Sequence, residues 1–184
     1  LDLENSLKAA FENDEFLVHY QPIIDIHKND VVGVEALLRW QHPDKGMIHP
    51  TDFISVAEDS GLIVAIGEWV ITSVCKQLRV WKDAGLENQN VSINLAPRQF
   101  KEQDLVSIFT QAIAENNIEG SSLSVDVTER TLIENSGEVE RVLKKLRELG
   151  IKIYLDDFGT GYASLAYLKE FPVDVVKVDR AFIS

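Results

Sequence analysis

The stretch IKIYLDDFGTGYASL, residues 151–165, joins a strand-like run to two adjacent carboxylates and a glycine-rich loop. Apolar and polar residues alternate up to Asp156 and Asp157, which is typical of a strand, and the tripeptide GTG then indicates a turn. Neighbouring side chains on a strand point to opposite faces, so two successive aspartates share a target only where the strand ends and the chain bends. Because two unpaired carboxylates repel each other, this stretch predicts a cation between them.

Strand-like and helix-like segments alternate along the rest of the chain. The predicted strands cover 16–24, 31–40, 90–97, 123–129, 151–157 and 173–179, and the predicted helices cover 51–61, 67–85, 104–117, 137–150 and 163–171. Residues 25–30 form the predicted turn between the first two strands. Strict alternation predicts a parallel α/β sheet, which is either doubly wound or closed into a (β/α) barrel.

Polar residues near the strand ends favour the barrel. They are Asn94, Asp126, Asp156, Asp157 and Lys177, joined by Glu35 within the second strand. A barrel builds its active site from the carboxyl ends of several strands, whereas a doubly wound sheet concentrates its site in one crevice. The sequence contains neither G-x-G-x-x-G nor G-x-x-x-x-G-K, the loops with which doubly wound folds hold nucleotides.

The carboxylates and the amide in this group form a set of oxygen donors. The five donors are Glu35, Asn94, Asp126, Asp156 and Asp157. Oxygen ligands suit Mg²⁺ or Mn²⁺ better than Zn²⁺, which prefers histidine and cysteine. A carboxylate shared by two such ions would hold them roughly 3.5–4 Å apart, as in sites that cleave phosphodiesters, and Lys177 would then orient the attacking water. For any single acid the alternative is solvation or helix capping, with Asp157 as a cap.

The bulk composition limits the classes of protein. A chain of 184 residues with 45% hydrophobic content predicts one domain. The net charge of −12 argues against DNA or RNA as a partner and requires metal ions to offset charge if the ligand is a phosphate compound. The single cysteine, Cys75, is expected to be buried and indicates a reducing compartment. No signal peptide or bilayer-length apolar run is visible, and a start at Leu1 suggests a domain cut from a longer protein.

Several blocks of the sequence, in order, resemble those of the EAL domains that hydrolyse cyclic di-GMP. The blocks are YQPIID, EALLRW, FISVAEDSGLIVAIGEWV, SINLAPRQF, DVTER and DDFGTGYASLAYLKEFPVDVVKVDRAF. The similarity runs from about residue 3 to the end of the chain. It implies a single TIM-like (β/α) barrel of EAL type over 1–184. It also implies cleavage of one phosphodiester of cyclic di-GMP, giving linear pGpG, with Mg²⁺ or Mn²⁺ as cofactor.

The same resemblance assigns the catalytic and metal-binding roles. The implied ligands of the first metal are Glu35, Asn94, Asp126 and Asp156, and the second metal uses Asp156 and Asp157. Lys177 matches the lysine that positions the attacking water.

The resemblance also implies the residues that contact the substrate. Gln21 and Leu37 match positions that line the ligand, and Arg39 matches an arginine on its phosphate. Glu129 matches a glutamate that fixes the loop after the aspartates, which is 158–164 in this chain.

Two departures from the family pattern bear on activity. The usual Glu-x-Thr-Glu is Asp126-Val127-Thr128-Glu129 here, and the shorter aspartate would place its oxygen about an ångström from the usual position. Family members also continue past the point where this chain stops, through two more β/α units that carry another metal-binding glutamate. The resemblance therefore implies a barrel without its last two units and an incomplete set of ligands for the second metal.

These departures leave three functional hypotheses. The first is a cyclic di-GMP phosphodiesterase. The second is a catalytically impaired receptor that binds cyclic di-GMP without cutting it, and the third is an interaction module without the ligand. The family resemblance also implies a possible homodimer, flanking sensory or cyclase domains, and a cytoplasmic location, in some cases within a membrane-anchored sensor.

Overall fold

The computed structural model describes residues 2–86, 89–134, 136–159 and 171–182. The helices are α1 (Asp2–Glu12), α2 (Pro50–Ser60), α3 (Leu62–Asp83), α4 (Pro97–Glu102), α5 (Leu105–Asn116), α6 (Glu129–Glu134) and α7 (Ser136–Glu148). The strands are β1 (Phe16–Asp25), β2 (Asp30–His42), β3 (Gly46–Ile48), β4 (Val91–Asn94), β5 (Leu123–Thr128), β6 (Lys152–Phe158) and β7 (Val175–Val178). Two 3₁₀ turns span Gly120–Ser122 and Arg180–Phe182.

The described strands form one sheet in the order β1-β2-β4-β5-β6-β7, with β3 attached to β2. The strands from β2 through β4, β5 and β6 to β7 pair in parallel, as the sequence predicted. The prediction of strict alternation was wrong at the amino end, where β1 and β2 form an antiparallel hairpin. A short turn between the two strands permits only an antiparallel pair, because a parallel pair requires a long crossover connection.

Four short elements were not predicted from the sequence: α1, α4, α6 and β3. The prediction of a helix over 163–171 falls outside the described residues, apart from Phe171. Helices α3 and α7 each end two residues before a glycine. Gly85 and Gly150 follow these helices with φ of 80° and 90°, a left-handed conformation that favours glycine.

The core lies between the sheet and the helices. Apolar residues of α3 and α7 are buried there, including Val74 on α3 and Leu146 on α7. Cys75 is buried as predicted, and burial raises the pKa of its thiol to about 12. Trp40 of β2 packs against Phe53 of α2 with ring centroids 5.6 Å apart, closing the core beneath the hairpin.

The strand register separates the core face from the polar face. Ala36 pairs with Ile93 and both are buried in the core, while their neighbour Glu35 pairs with Ser92 on the other face. Asn94 pairs with Asp126 on that same polar face. Since residues directly opposite each other in a sheet share a face, one side of five adjacent strands carries Glu35, Asn94, Asp126, Asp156 and Lys177.

Candidate active site

Three carboxylates from three strands meet at the carboxyl edge of the sheet. Glu35 on β2, Asp126 on β5 and Asp156 on β6 each present an oxygen, and these oxygens all lie within 4.8 Å of one another. Asp126 is buried, and the other two side chains are half-buried. Such a set of close, like-charged oxygen donors can bind a divalent cation.

Asn94 orients the first of these carboxylates. Its side-chain Nδ2 donates a hydrogen bond of 2.9 Å to Glu35 Oε1 across the gap between β2 and β4. The amide group therefore turns its donor towards Glu35, and its own oxygen remains a further neutral ligand atom. The structure thus brings four of the sequence-predicted residues together: Glu35, Asn94, Asp126 and Asp156.

Lys177 of β7 completes the cluster. Its Nζ donates to Asp126 Oδ2 at 2.7 Å and lies 3.5 Å from Glu35 Oε2. Burial alone would lower the pKa of Lys177, but the attraction of the Asp126 and Glu35 carboxylates outweighs it and the net pKa is raised. The lysine therefore stays protonated at neutral pH and acts as a hydrogen-bond donor.

Asp126 has one satisfied and one unsatisfied oxygen. Its side chain is 2% exposed, and Oδ2 accepts hydrogen bonds from both Lys177 and the Ser92 hydroxyl. Burial raises the pKa of this carboxyl, although Lys177 and Ser92 act in the opposite direction. Among the described residues, Oδ1 has no hydrogen-bond partner. A buried carboxylate oxygen without a partner is costly, so these residues fit a bound cation.

The two aspartates at the end of β6 differ from each other. The backbone N–H of Asp157 donates to Asp156 Oδ1 at 3.0 Å, and Asp157 has a φ of 53°, in the left-handed region. The chain therefore bends at Asp157, near the end of β6, as the sequence predicted for two successive carboxylates. Asp157 lies outside the three-carboxylate group. Its pKa is raised by burial and by the nearby charges of Asp156 and Asp179.

Glu129 anchors the segment that follows the aspartates. It begins α6, is 4% exposed, and its Oε1 accepts a hydrogen bond of 2.8 Å from the backbone N–H of Gly159. This contact ties the end of β5 to the first residue after β6. Of the predicted loop 158–164, only Phe158 and Gly159 lie within the described residues.

The three predicted substrate contacts lie on the polar face of the hairpin. Gln21 of β1 pairs with Glu35, and Leu37 and Arg39 follow Glu35 at alternate positions of β2. Arg39 Nη1 donates to the carbonyl of Leu38 at 2.8 Å. Leu37 lines a cavity of about 430 Å³ that reaches Asn94 and Asp126. An organic ligand in this cavity would therefore lie next to the carboxylates.

Ser92 was not predicted from the sequence. It is fully buried in β4, and its hydroxyl donates to Asp126. A serine inside a strand carries no motif of its own. The available signal was its position two residues before Asn94, which places both side chains on one face of the strand.

Comparisons with known proteins agree with this fold and site. The EAL domain family matches residues 4–184. Cyclic di-GMP phosphodiesterase PdeR of Escherichia coli (strain K12) is 44% identical over 181 residues, which are 98% of this chain and 27% of the relative. The bifunctional diguanylate cyclase/cyclic di-GMP phosphodiesterase MucR of Pseudomonas aeruginosa is 42% identical over all of this chain and 27% of its own length. This chain thus spans about a quarter of these curated relatives.

A solved structure extends the comparison to the fold. The structure described as PaMucR phosphodiesterase in complex with c-di-GMP superposes with a TM-score of 0.94 at 42% identity, covering 100% of this chain and 74% of that chain. The parallel strands with carboxylates at their carboxyl edge define an α/β domain of the TIM-like barrel class. This chain belongs to the EAL domain family.

Proposed function

We propose that this chain hydrolyses one phosphodiester of cyclic di-GMP and releases linear pGpG. The observation that carries the proposal is the meeting of Glu35, Asp126 and Asp156 within 4.8 Å, with Lys177 hydrogen-bonded to Asp126. Relatives named cyclic di-GMP phosphodiesterase, at 44% and 42% identity over essentially the whole chain, support the substrate.

The proposed cofactor is Mg²⁺ or Mn²⁺, two ions in a complete site. Its ligands would be Glu35, Asn94, Asp126 and Asp156, with Asp157 as a further ligand of the second ion. A divalent cation at this site supplies Lewis acidity towards water and the phosphoryl oxygens. A hard cation is supported by the all-oxygen donors and by Asp126 Oδ1, which has no hydrogen-bond partner in the part of the chain that the structure describes.

The chain's own residues position the reactants. Lys177 would orient the attacking water, since its Nζ already donates a hydrogen bond to Asp126 Oδ2 at the centre of the cluster. Asn94 holds the Glu35 carboxylate in place through its 2.9 Å hydrogen bond. Because the protein carries a net charge of −12, the cationic groups near the substrate phosphates are essential for binding a dianion.

Substrate binding would use the polar face of the hairpin. Arg39 would contact a phosphate, and Gln21 and Leu37 would line the ligand. The cavity of about 430 Å³ beside Asp126 carries apolar side chains such as Ile54 and Ile63, which suit the flat face of a base. Glu129 would hold the loop after Asp157 through its contact with Gly159.

The parent protein would be a multidomain signalling protein that contains this domain. MucR is named as a bifunctional cyclase and phosphodiesterase, which supports flanking sensory or cyclase domains around this one. None of the helices in the described ranges is long and apolar enough to cross a bilayer. We propose a cytoplasmic position for the domain, within a soluble or membrane-anchored parent, and a homodimer as its assembly.

The test is hydrolysis of cyclic di-GMP with Mg²⁺ and then Mn²⁺, followed by chromatography. We expect metal-dependent pGpG from the native chain and none from Asp157→Ala. Asp83→Asn is the matched control, because Asp83 is an exposed acid on α3 that pairs with Arg79 far from the cluster. Undiminished hydrolysis by Asp157→Ala would contradict the proposed site.

A second candidate function is a receptor that binds cyclic di-GMP without cutting it. The observation that favours it is Asp126, which stands where the family pattern has the longer glutamate. Small displacements of a catalytic group cost on the order of 10²-fold in rate. Tight binding by calorimetry with no product after long incubation would establish the receptor and remove the phosphodiesterase.

A further inference from the structure

Ser92 lies in the interior of the sheet, directly beneath the carboxylate cluster. It is the register partner of Glu35 on one side and of Ser124 on the other, and its exposed fraction is 0%. Its hydroxyl donates to Asp126 Oδ2, the oxygen that also accepts from Lys177. One buried hydroxyl and one ammonium therefore hold the same carboxylate oxygen.

The neighbouring serine has a different role. Ser124 is equally buried and lies on the same face, yet its hydroxyl donates to Asn90 Oδ1 at 2.8 Å, away from the cluster. The two serines share residue type, burial and register. They differ in what the hydroxyl contacts, so Ser124 is a matched control for Ser92.

The contacts at Oδ2 fix the direction of the other oxygen. The terminal torsion of an aspartate is broad, so without partners the carboxylate samples a range of orientations. With Oδ2 held by Ser92 and Lys177, the orientation of the whole carboxylate is set, including that of Oδ1, which has no partner among the described residues. Groups that orient a metal ligand commonly change metal affinity 10–100-fold.

We propose that Ser92 is a positioning residue that fixes the orientation of the Asp126 carboxylate at the cation site. This inference rests on the proposed metal-binding function of the cluster.

The experiment is calorimetric titration of the native chain with Mn²⁺ in the absence of nucleotide. We expect Ser92→Ala to weaken Mn²⁺ binding about 10–100-fold and Ser124→Ala to leave it within about 3-fold. Equal Mn²⁺ affinity in the native chain and Ser92→Ala would overturn the inference. Absence of Mn²⁺ binding by the native chain would instead overturn the proposed metal site, so the two failures are distinguishable.

Two further variants, which match each other in size, separate loss of the hydroxyl from a folding defect in Ser92→Ala. Ser92→Thr keeps the hydroxyl and Ser92→Val replaces it by a methyl of the same size. We expect Mn²⁺ to bind the threonine variant about 10-fold or more tighter than the valine variant. Equal Mn²⁺ affinity of the two variants would overturn the inference, because a packing effect alone does not distinguish them.

Ser92→Ala made in a chain that also carries Asp126→Glu tests whether Ser92 acts by positioning the residue at 126 or by packing within the sheet. A glutamate extends past the Ser92 hydroxyl, so we expect Ser92→Ala to change Mn²⁺ affinity less than about 3-fold in this background. An equal loss of affinity in both backgrounds would show that the hydroxyl acts through strand packing and would overturn the proposal.

Discussion

Hydrogen bonding differs between the two edges of the parallel strands. The amino edge is formed by the amino ends of the strands, and the carboxyl edge by their carboxyl ends. At the amino edge, the Asn90 side chain accepts from Ser124 and donates to the carbonyl of Ser121, so donor and acceptor are both used. At the carboxyl edge, Asp126 leaves one buried oxygen unpartnered among the described residues, and like charges lie side by side. The polar groups of the first edge pair with each other, whereas the acidic groups of the second can bind a cation.

The largest effect should follow from removing a charged carboxylate at the carboxyl edge. Glu35→Gln keeps the size and loses the charge, and we expect pGpG formation to fall by more than about 100-fold, since even groups that only orient metal ligands cost 10–100-fold. The measurement is the initial rate of product formation at saturating Mn²⁺. Glu148→Gln, an exposed position on α7, should retain the native rate. A Glu35→Gln rate near the native one would remove the distinction between the edges.

The next largest effect should be a rise in thermal stability when Mn²⁺ binds. For the 184-residue chain, Mn²⁺ at 100 times its Kd should stabilise the fold by about 2.7 kcal/mol, a rise of roughly 5–10 °C in Tm. The cation would satisfy Asp126 Oδ1 and relieve the repulsion between carboxylates. Thermal unfolding with and without chelator measures the rise. Asp126→Asn should abolish it, and an unchanged rise in that variant would place the bound ion elsewhere.

The amino edge should show the reverse behaviour. Asn90→Ala leaves the buried Ser124 hydroxyl without its acceptor, and we expect a loss of about 1–3 kcal/mol in the free energy of unfolding. Urea titration measures this loss. Hydrolysis per folded molecule should stay at the native level, because Asn90 lies at the opposite end of the strands. A selective fall in turnover would show that the two edges are coupled.

The smallest effect concerns charge repulsion at Asp157. Burial and the neighbouring Asp156 disfavour its charged form, so Asp157→Asn should raise the stability of the metal-free protein. Screening of a partly exposed charge keeps this gain below about 1 kcal/mol. Asparagine also tolerates the φ of 53°, so the backbone need not change. Thermal unfolding in chelator compares the two proteins, and a lower Tm for the variant would contradict the repulsion.

Much of this site could be predicted from the sequence because it depends on strand ends. Asn94, Asp126 and Asp156 each follow a short apolar run, and parallel strands bring their carboxyl ends to one edge. Ser92 could not be predicted, since its role depends on which strand lies beside β4 and in which register. The two strands of the hairpin and the turn at 25–30 were predicted, but their antiparallel direction was not stated, because the alternation of elements was applied to every strand.

The hydrogen bond from Asn94 to Glu35 joins residues 59 positions apart, and that from Lys177 to Asp126 joins residues 51 apart. The β1–β2 hairpin closes over a few residues, whereas these contacts require long loops to close first, which is slow. We therefore expect the carboxylate cluster to assemble after the hairpin during folding. A chain in which β7 has not yet docked lacks Lys177 at the site, so we expect Ser92 alone to hold the Asp126 carboxylate until β7 pairs with β6.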